Sequence, residues 1–246
     1  MESSPNEVLR FWFEDCRPHQ WFQRNSDFDA LVFKRFGELT SSALNGDLNH
    51  WNKNPTSALA LVLILDQFCR QLWRNQPTAF AGDRQALHLT HRALAEGWIA
   101  CEPQRVRRQF WLMPMLHSEQ LQVVTEAVSL LERWSDPATV AVAIRKKDLL
   151  LQFGRYPQRN AALGRLSTAR EMTFLQNRQS PGKTNPSKQQ SCERCLLSGP
   201  TFYRVKTAAL PKWILVCPSC WSQLHKEDGY TYGGTRKANR RARQGR

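Results

Sequence analysis

The chain has 246 residues, 41% of them hydrophobic and including nine Trp and twelve Phe, which suffices for one sizeable domain plus a small module, or two modest domains. The net charge of +14 is uneven: residues 181–246 carry 13 Lys and Arg against 3 acids, and the first 180 residues carry 22 against 18. No membrane-spanning helix is expected, because the longest apolar run, Ala58–Leu65, is eight residues where a membrane helix needs roughly 20.

The first residues, MESSPNEV, lack the basic end and apolar stretch of a secretory signal. A cytoplasmic protein with no membrane partner is therefore expected, in a compartment that keeps its seven cysteines reduced.

In chain order, Ser4-Pro5-Asn6-Glu7 opens a helix carrying Val8, Leu9, Phe11, Trp12 and Phe13. Ser26 or Asp27 caps a second, whose apolar positions Phe28, Leu31, Val32, Phe36, Leu39 and Ala43 fit a 3.6-residue period up to Asn45-Gly46. A third runs from Asn54-Pro55 to about Trp73 and is apolar nearly all round from Ala58 to Leu65, so it is expected to be central. A fourth spans about Asp83 to Glu96. Others follow from about Ser118 to Trp134 and Pro137 to Phe153, then two short ones after Pro157 and Ser167. The expected fold is mainly α, built of antiparallel helical hairpins.

Composition then changes. Residues 1–178 form the helical domain, 179–191 a flexible Pro/Ser/Gln/Lys linker, 192–235 a zinc ribbon and 236–246 a basic tail with six Arg or Lys and no acid. In the ribbon, TFYRVK (201–206) and KWILV (212–216) read as two strands. They separate Cys192-x-x-Cys195 from Cys217-x-x-Cys220, with 21 residues between the pairs. Each pair makes a tight knuckle, and four thiolates complete the tetrahedral set that Zn²⁺ prefers with no position left for water, so one structural zinc is expected. A module this small has too little core to fold unaided.

Tyr203, Arg204 and Trp213, with the tail cations Arg236, Lys237, Arg240, Arg241 and Arg243, form a candidate nucleic-acid surface, with RNA favoured over DNA. The competing reading makes Phe202, Trp213 and Trp221 the small core and the tail a solvated terminus.

Charged residues embedded in apolar motifs mark the helical domain. Asp66 and Arg70 stand at i and i+4, the favoured order for a helical ion pair. Gly154-Arg155-Tyr156-Pro157 breaks a helix, and Arg155 and Arg159 then flank the next N-terminus, where positive charge is unfavourable. Either a bound phosphate or carboxylate or an acid of the chain, Glu119 or Asp83, would satisfy them. His117 beside Glu119 reads as a general base or as a hydrogen-bonding partner at a helix boundary. Asp66, Arg70, His117, Glu119, Arg155 and Arg159 are thus the ligand-binding candidates, expected in one cleft.

The motifs VLRFWF (8–13), LDQFCR (65–70), AFAGD (79–83), MPMLHSE (113–119) and FGRYPQRNAALGR (153–165) give residues 6–176 a resemblance to a widespread bacterial family, domain-of-unknown-function family 924. The resemblance implies a tetratricopeptide-like fold and brings no established activity. Relatives usually carry Pro at Cys69, His at Lys146 and His at Gln158, so chemistry resting on those histidines is weakened here. With YRVK, CPSCW and YGGT, the C-terminal stretch resembles a small uncharacterised bacterial zinc-ribbon module. Three functions remain open: a binding protein contacting RNA and an anionic ligand or protein, an enzyme on a small phosphorylated or carboxylated substrate, and a helical interaction scaffold on fold analogy alone.

Overall fold

Capping chemistry sets the helix starts in the computed structural model, which describes residues 4–179, 192–195, 199 and 201–237. The chain divides into two compact units, Met1–Leu175 and Gln176–Arg246. Helix α1 (Pro5–Arg10) begins as expected, with Ser4 Oγ accepting the Glu7 N–H and Pro in the first turn. It continues into a π-helical turn, Phe11–Asp15, which buries Phe11 and Trp12. The short α2 (Pro18–Phe22) has no counterpart among the expected helices. Helix α3 (Ser26–Asn45) is capped by Asn25, not by Ser26 or Asp27, because Asn25 Oδ1 receives the N–H groups of Asp27 and Phe28. It ends at Gly46, whose φ of 90° is open to glycine at no steric cost.

The expected third helix is one path in three parts: α4 (Pro55–Val62), a π-helical turn (Leu63–Phe68) and α5 (Cys69–Leu72). Residues 58–69 are buried throughout, so this path is the centre of the unit. In the π turn the Cys69 N–H reaches back five residues to the Ile64 carbonyl. Such turns are rare and gather at functional sites.

Next come α6 (Asp83–Ala95), α7 (Trp98–Cys101) and α8 (Arg105–His117). No helix was expected over α8, and Pro114 inside it removes a backbone donor. Burial of every residue from Gln109 to Leu116 outweighs that cost. Helix α9 (Leu121–Trp134) starts after Glu119, so Ser118 is not its cap; the Ser118 hydroxyl accepts the Gln120 N–H instead. Helix α10 (Pro137–Phe153) has the expected bounds, capped by Asp136. Successive helices α8, α9 and α10 pack on one another across short connections. A single 3-10 turn at Pro157–Arg159 and α11 (Ala169–Gln179) are the two short final elements. Among the described residues no helix is long and apolar enough to cross a membrane.

In the second unit β1 (Thr201–Lys206) and β2 (Ile214–Val216) are the two expected strands. Helix α12 (Pro218–Leu224) follows, then an unexpected third strand, β3 (Thr231–Lys237). The sheet order is β2-β1-β3 with both pairings antiparallel. Arg236 and Lys237, read from sequence as tail, therefore lie in β3 opposite Phe202 and Thr201. Two glycines in YGGT had hidden that strand, since Gly lowers strand propensity. Residues 180–191 of the expected linker, and Arg240, Arg241 and Arg243, lie outside the described residues.

Candidate functional site

The π turn puts Asp66 and Gln67 side by side in the core, with Asp66 fully buried. Three donors converge on the Asp66 carboxylate. His117 Nδ1 lies 2.6 Å from Oδ1, Arg70 Nη1 lies 3.1 Å from it, and Gln67 Nε2 donates to Oδ2. Arg70 also reaches Asp83 at 2.6 Å, and Arg159 binds the other oxygen of Asp83 at 3.0 Å. Gly82 makes this approach possible: a Cβ there would sit 2.4 Å from the Leu65 carbonyl oxygen. The AFAGD motif is thus a close backbone contact that delivers Asp83 to two arginines.

The C-terminus of α8 is held from the FGRYPQR motif. Tyr156 Oη donates to the Leu116 carbonyl at 2.9 Å, and Arg159 Nη2 to the His117 carbonyl at 2.8 Å. Orphan carbonyls are satisfied this way, and the Arg159 charge suits the negative end of the helix. Glu119 accepts the Tyr156 N–H at 2.7 Å and pairs with Arg165 at 2.6 Å.

Of the six ligand-binding candidates, Asp66, Arg70, His117 and Arg159 form one cluster through Asp83, and Glu119 adjoins it through Tyr156. Arg155 does not join. It faces Glu171 at 2.7 and 2.8 Å, and Glu171 forms a capping box with Thr168 at the start of α11. The arginines expected to hold an anion are each paired with a carboxylate of the chain.

Burial, and then the nearby Arg70 charge, push the His117 pKa down to about 3 against the pull of Asp66. Burial works against ionisation of Asp66, but His117 and Arg70 outweigh it and hold its pKa below the usual carboxylate range. The imidazole is therefore neutral, its Nδ1–H donates to Asp66, and Nε2 keeps its lone pair. No partner for Nε2 exists among the described residues. Lys146, where relatives carry His, stands with Nζ 4.6 Å from the Tyr156 ring centroid. Burial, then Arg159 and Arg70, lower its pKa to about 7.

His117 opens onto a cleft of about 200 Å³. Its polar wall is Gln23, Gln67, Arg70, Gln71, Arg74 and His117, with Arg74 paired to Asp29, and its apolar wall is Trp21, Phe22 and Met113. Gln71 is 6% exposed, and its Oε1 is buried without a donor. Gln67 and Gln71 were not singled out from the sequence; the signal that could have found them is that they repeat the i, i+4 spacing of Asp66 and Arg70 one position later. Nothing in the sequence marked Trp21 and Phe22, because the cleft brings them together with residues far along the chain, from Gln67 to His117.

In the second unit the four cysteine sulfurs lie within 4.8 Å of one another. Cys195 Sγ and Cys217 Sγ are 3.7 Å apart, too far for a disulfide at about 2.05 Å and close to the roughly 3.8 Å edge of a tetrahedron with 2.3 Å metal–sulfur bonds. The two knuckles are brought together by Glu193, whose N–H donates to the Leu215 carbonyl and whose Oε1 accepts the Leu215 N–H. Burial opposes ionisation of Cys192, yet the N–H groups of Cys217, Cys195 and Arg194 bring its pKa down to about 6. Burial and the neighbouring sulfurs push Cys220 up to about 12. Four sulfur ligands this close together are a donor set that fits a soft divalent cation.

The surface of this unit splits the two expected readings. Phe202 and Trp221 belong to the small core with Val205, Val216 and Leu224. Trp213 stands outside it, with Arg204 4.8 Å and Lys206 5.2 Å from its ring. Tyr203 packs on Trp221 at 4.8 Å.

These features define a helical domain with a buried charge cluster, joined to a four-cysteine module. The chain belongs to the family described as "Bacterial protein of unknown function (DUF924)", whose model matches residues 8–179. Residues 190–239 match a second model, "Domain of unknown function (DUF8622)". Among solved structures, a protein of unknown function from Agrobacterium tumefaciens, ATU0120, is similar with 28% identity and a TM-score of 0.65, over 70% of this chain and 96% of that one. No curated protein matches.

Proposed function

We propose that the chain is a binding protein whose helical unit receives a small, hydrogen-donating ligand in the cleft before His117. The observation that carries this is the pair of unanswered acceptors there: His117 Nε2 and the buried Gln71 Oε1. A buried acceptor without a donor costs about 1–3 kcal/mol, and a ligand N–H or O–H recovers it. The sequence pointed to an anionic ligand. Because the arginines already hold carboxylates, a neutral donor fits the cleft better than a phosphate. An Asp–His couple 2.6 Å apart also suits proton abstraction. A pKa near 3 makes His117 a reluctant base, and this favours binding over catalysis.

In the same proposal the second unit holds one structural Zn²⁺ through Cys192, Cys195, Cys217 and Cys220, in a compartment that keeps thiols reduced. It contacts nucleic acid, RNA before DNA, through Arg204, Lys206 and Trp213 and the basic residues that follow. The cations beside the exposed Trp213 ring support this.

The test is native mass spectrometry of the purified chain, with identification of any co-purifying small molecule, beside the His117→Asn variant. Asn keeps a donor for Asp66 and removes the Nε2 acceptor. A ligand retained by the natural chain and lost from the variant is the expected result. A ligand held equally by both contradicts the reading.

A further inference from the structure

The cleft also carries information about the shape of its ligand. Its apolar wall is aromatic. Trp21 is fixed by its Nε1–H, which donates to the Trp12 carbonyl at 2.9 Å. Phe22, beside it, is 62% exposed although it is a large apolar side chain. Its ring lies within 3° of parallel to Phe110, with centroids 6.2 Å apart, and is nearly perpendicular to Trp21. Neighbouring rings therefore fix the orientation of Phe22 while much of its surface stays uncovered at the cleft. Exposing such a ring on a short helix gains nothing for folding, whereas an aromatic face of fixed orientation suits stacking.

Gln71 and His117 line the cleft as well; Gln71 Oε1 is buried without a donor, and His117 Nδ1 is taken by Asp66. The volume of about 200 Å³ lies below the roughly 300–1,000 Å³ of pockets for drug-sized ligands, so the occupant is one small ring system.

From this combination we infer that the ligand is a planar nitrogen heterocycle or aromatic amide, stacked on Phe22 with its N–H groups donating to Gln71 Oε1 and His117 Nε2. This rests on the binding reading above and deepens it. A nucleobase-sized ring has the required face and donors; a free phosphate or an aliphatic acid has neither.

The two contacts differ in what they do for the empty protein. Phe22 is exposed, so Phe22→Ala should leave the fold intact. Gln71→Leu removes a buried carbonyl that lacks a donor, so it should leave the unliganded chain as stable as before or more so, while removing a ligand contact.

The experiment is ligand-observed NMR with the full chain, using adenine, uracil and benzamide as planar probes and cyclohexanecarboxamide as the non-planar control. At least one planar probe should bind, and Phe22→Ala and Gln71→Leu should each weaken it by about tenfold. Preference for the cyclohexane amide, or planar binding indifferent to Phe22→Ala and Gln71→Leu, overturns the inference. If the non-planar amide binds and His117→Asn abolishes it, the cleft stands as a binding site and only the ligand class is wrong. If a planar probe binds through Phe22 but ignores His117→Asn, the stacking stands and the acceptor reading fails. Binding of none of the four probes rejects the planar class.

Discussion

Gly82 shows how one residue can hold a site without touching it. With φ −82° its backbone is ordinary, so only space forbids a side chain. Gly82→Ala must push the Asp83 segment away from the π turn, and the expected loss of stability is about 1–3 kcal/mol, read from urea unfolding. His117 gives the pH dependence. Unfolded, it takes a proton near pH 6.5; folded, it resists until about 3. The unfolded state therefore binds more protons in that window. Stability is fully present above it and falls on acidification by up to about 1.4 kcal/mol per pH unit. His117→Asn should flatten the dependence between those pH values, and urea midpoints measured at pH 7, 6, 5 and 4 check it.

At the scale of elements, the four-cysteine module is the clearest case. Elemental analysis of protein purified without chelator should give one zinc per chain. Cys217→Ser should abolish it and lose the near-ultraviolet signal of the small unit, while the helical far-ultraviolet signal remains; a metal-free natural chain contradicts this. The paired Cys-x-x-Cys motif was legible because both knuckles are local in sequence. Helix α10 was legible for the same reason: its Asp136 cap, Pro137 and Gly154 are all local signals. Helix α8 was not, because Pro114 states the local rule and burial of its neighbours, a tertiary effect, overrides it. Strand β3 was lost to its glycines. In the site, the convergence of Asp66, Arg70, His117 and Arg159 followed from charges set in apolar motifs, whereas the outward turn of Arg155 depended on Glu171, sixteen positions away.

For the whole molecule, the charge asymmetry underlies the proposed nucleic-acid contact of the C-terminal quarter. If about five cations reach phosphates of a single strand, log K should fall with log salt at a slope of roughly −3 to −4. Deleting residues 238–246 spares β3 and should flatten that slope, whereas Trp213→Ala should weaken binding with little change in slope. Fluorescence anisotropy with labelled single-stranded RNA at several salt concentrations measures both, and a slope unchanged by the deletion contradicts the assignment. The helical unit is proposed to bind through an uncharged acceptor, the neutral His117 ring, and that proposal depends on the state of one ring. Long-range proton–nitrogen NMR of histidine-labelled protein reads it directly. His117 at pH 7 should carry its proton on Nδ1, with Nε2 bare, and should keep this form below pH 5. A proton on Nε2, or an ordinary titration near 6.5, would contradict it.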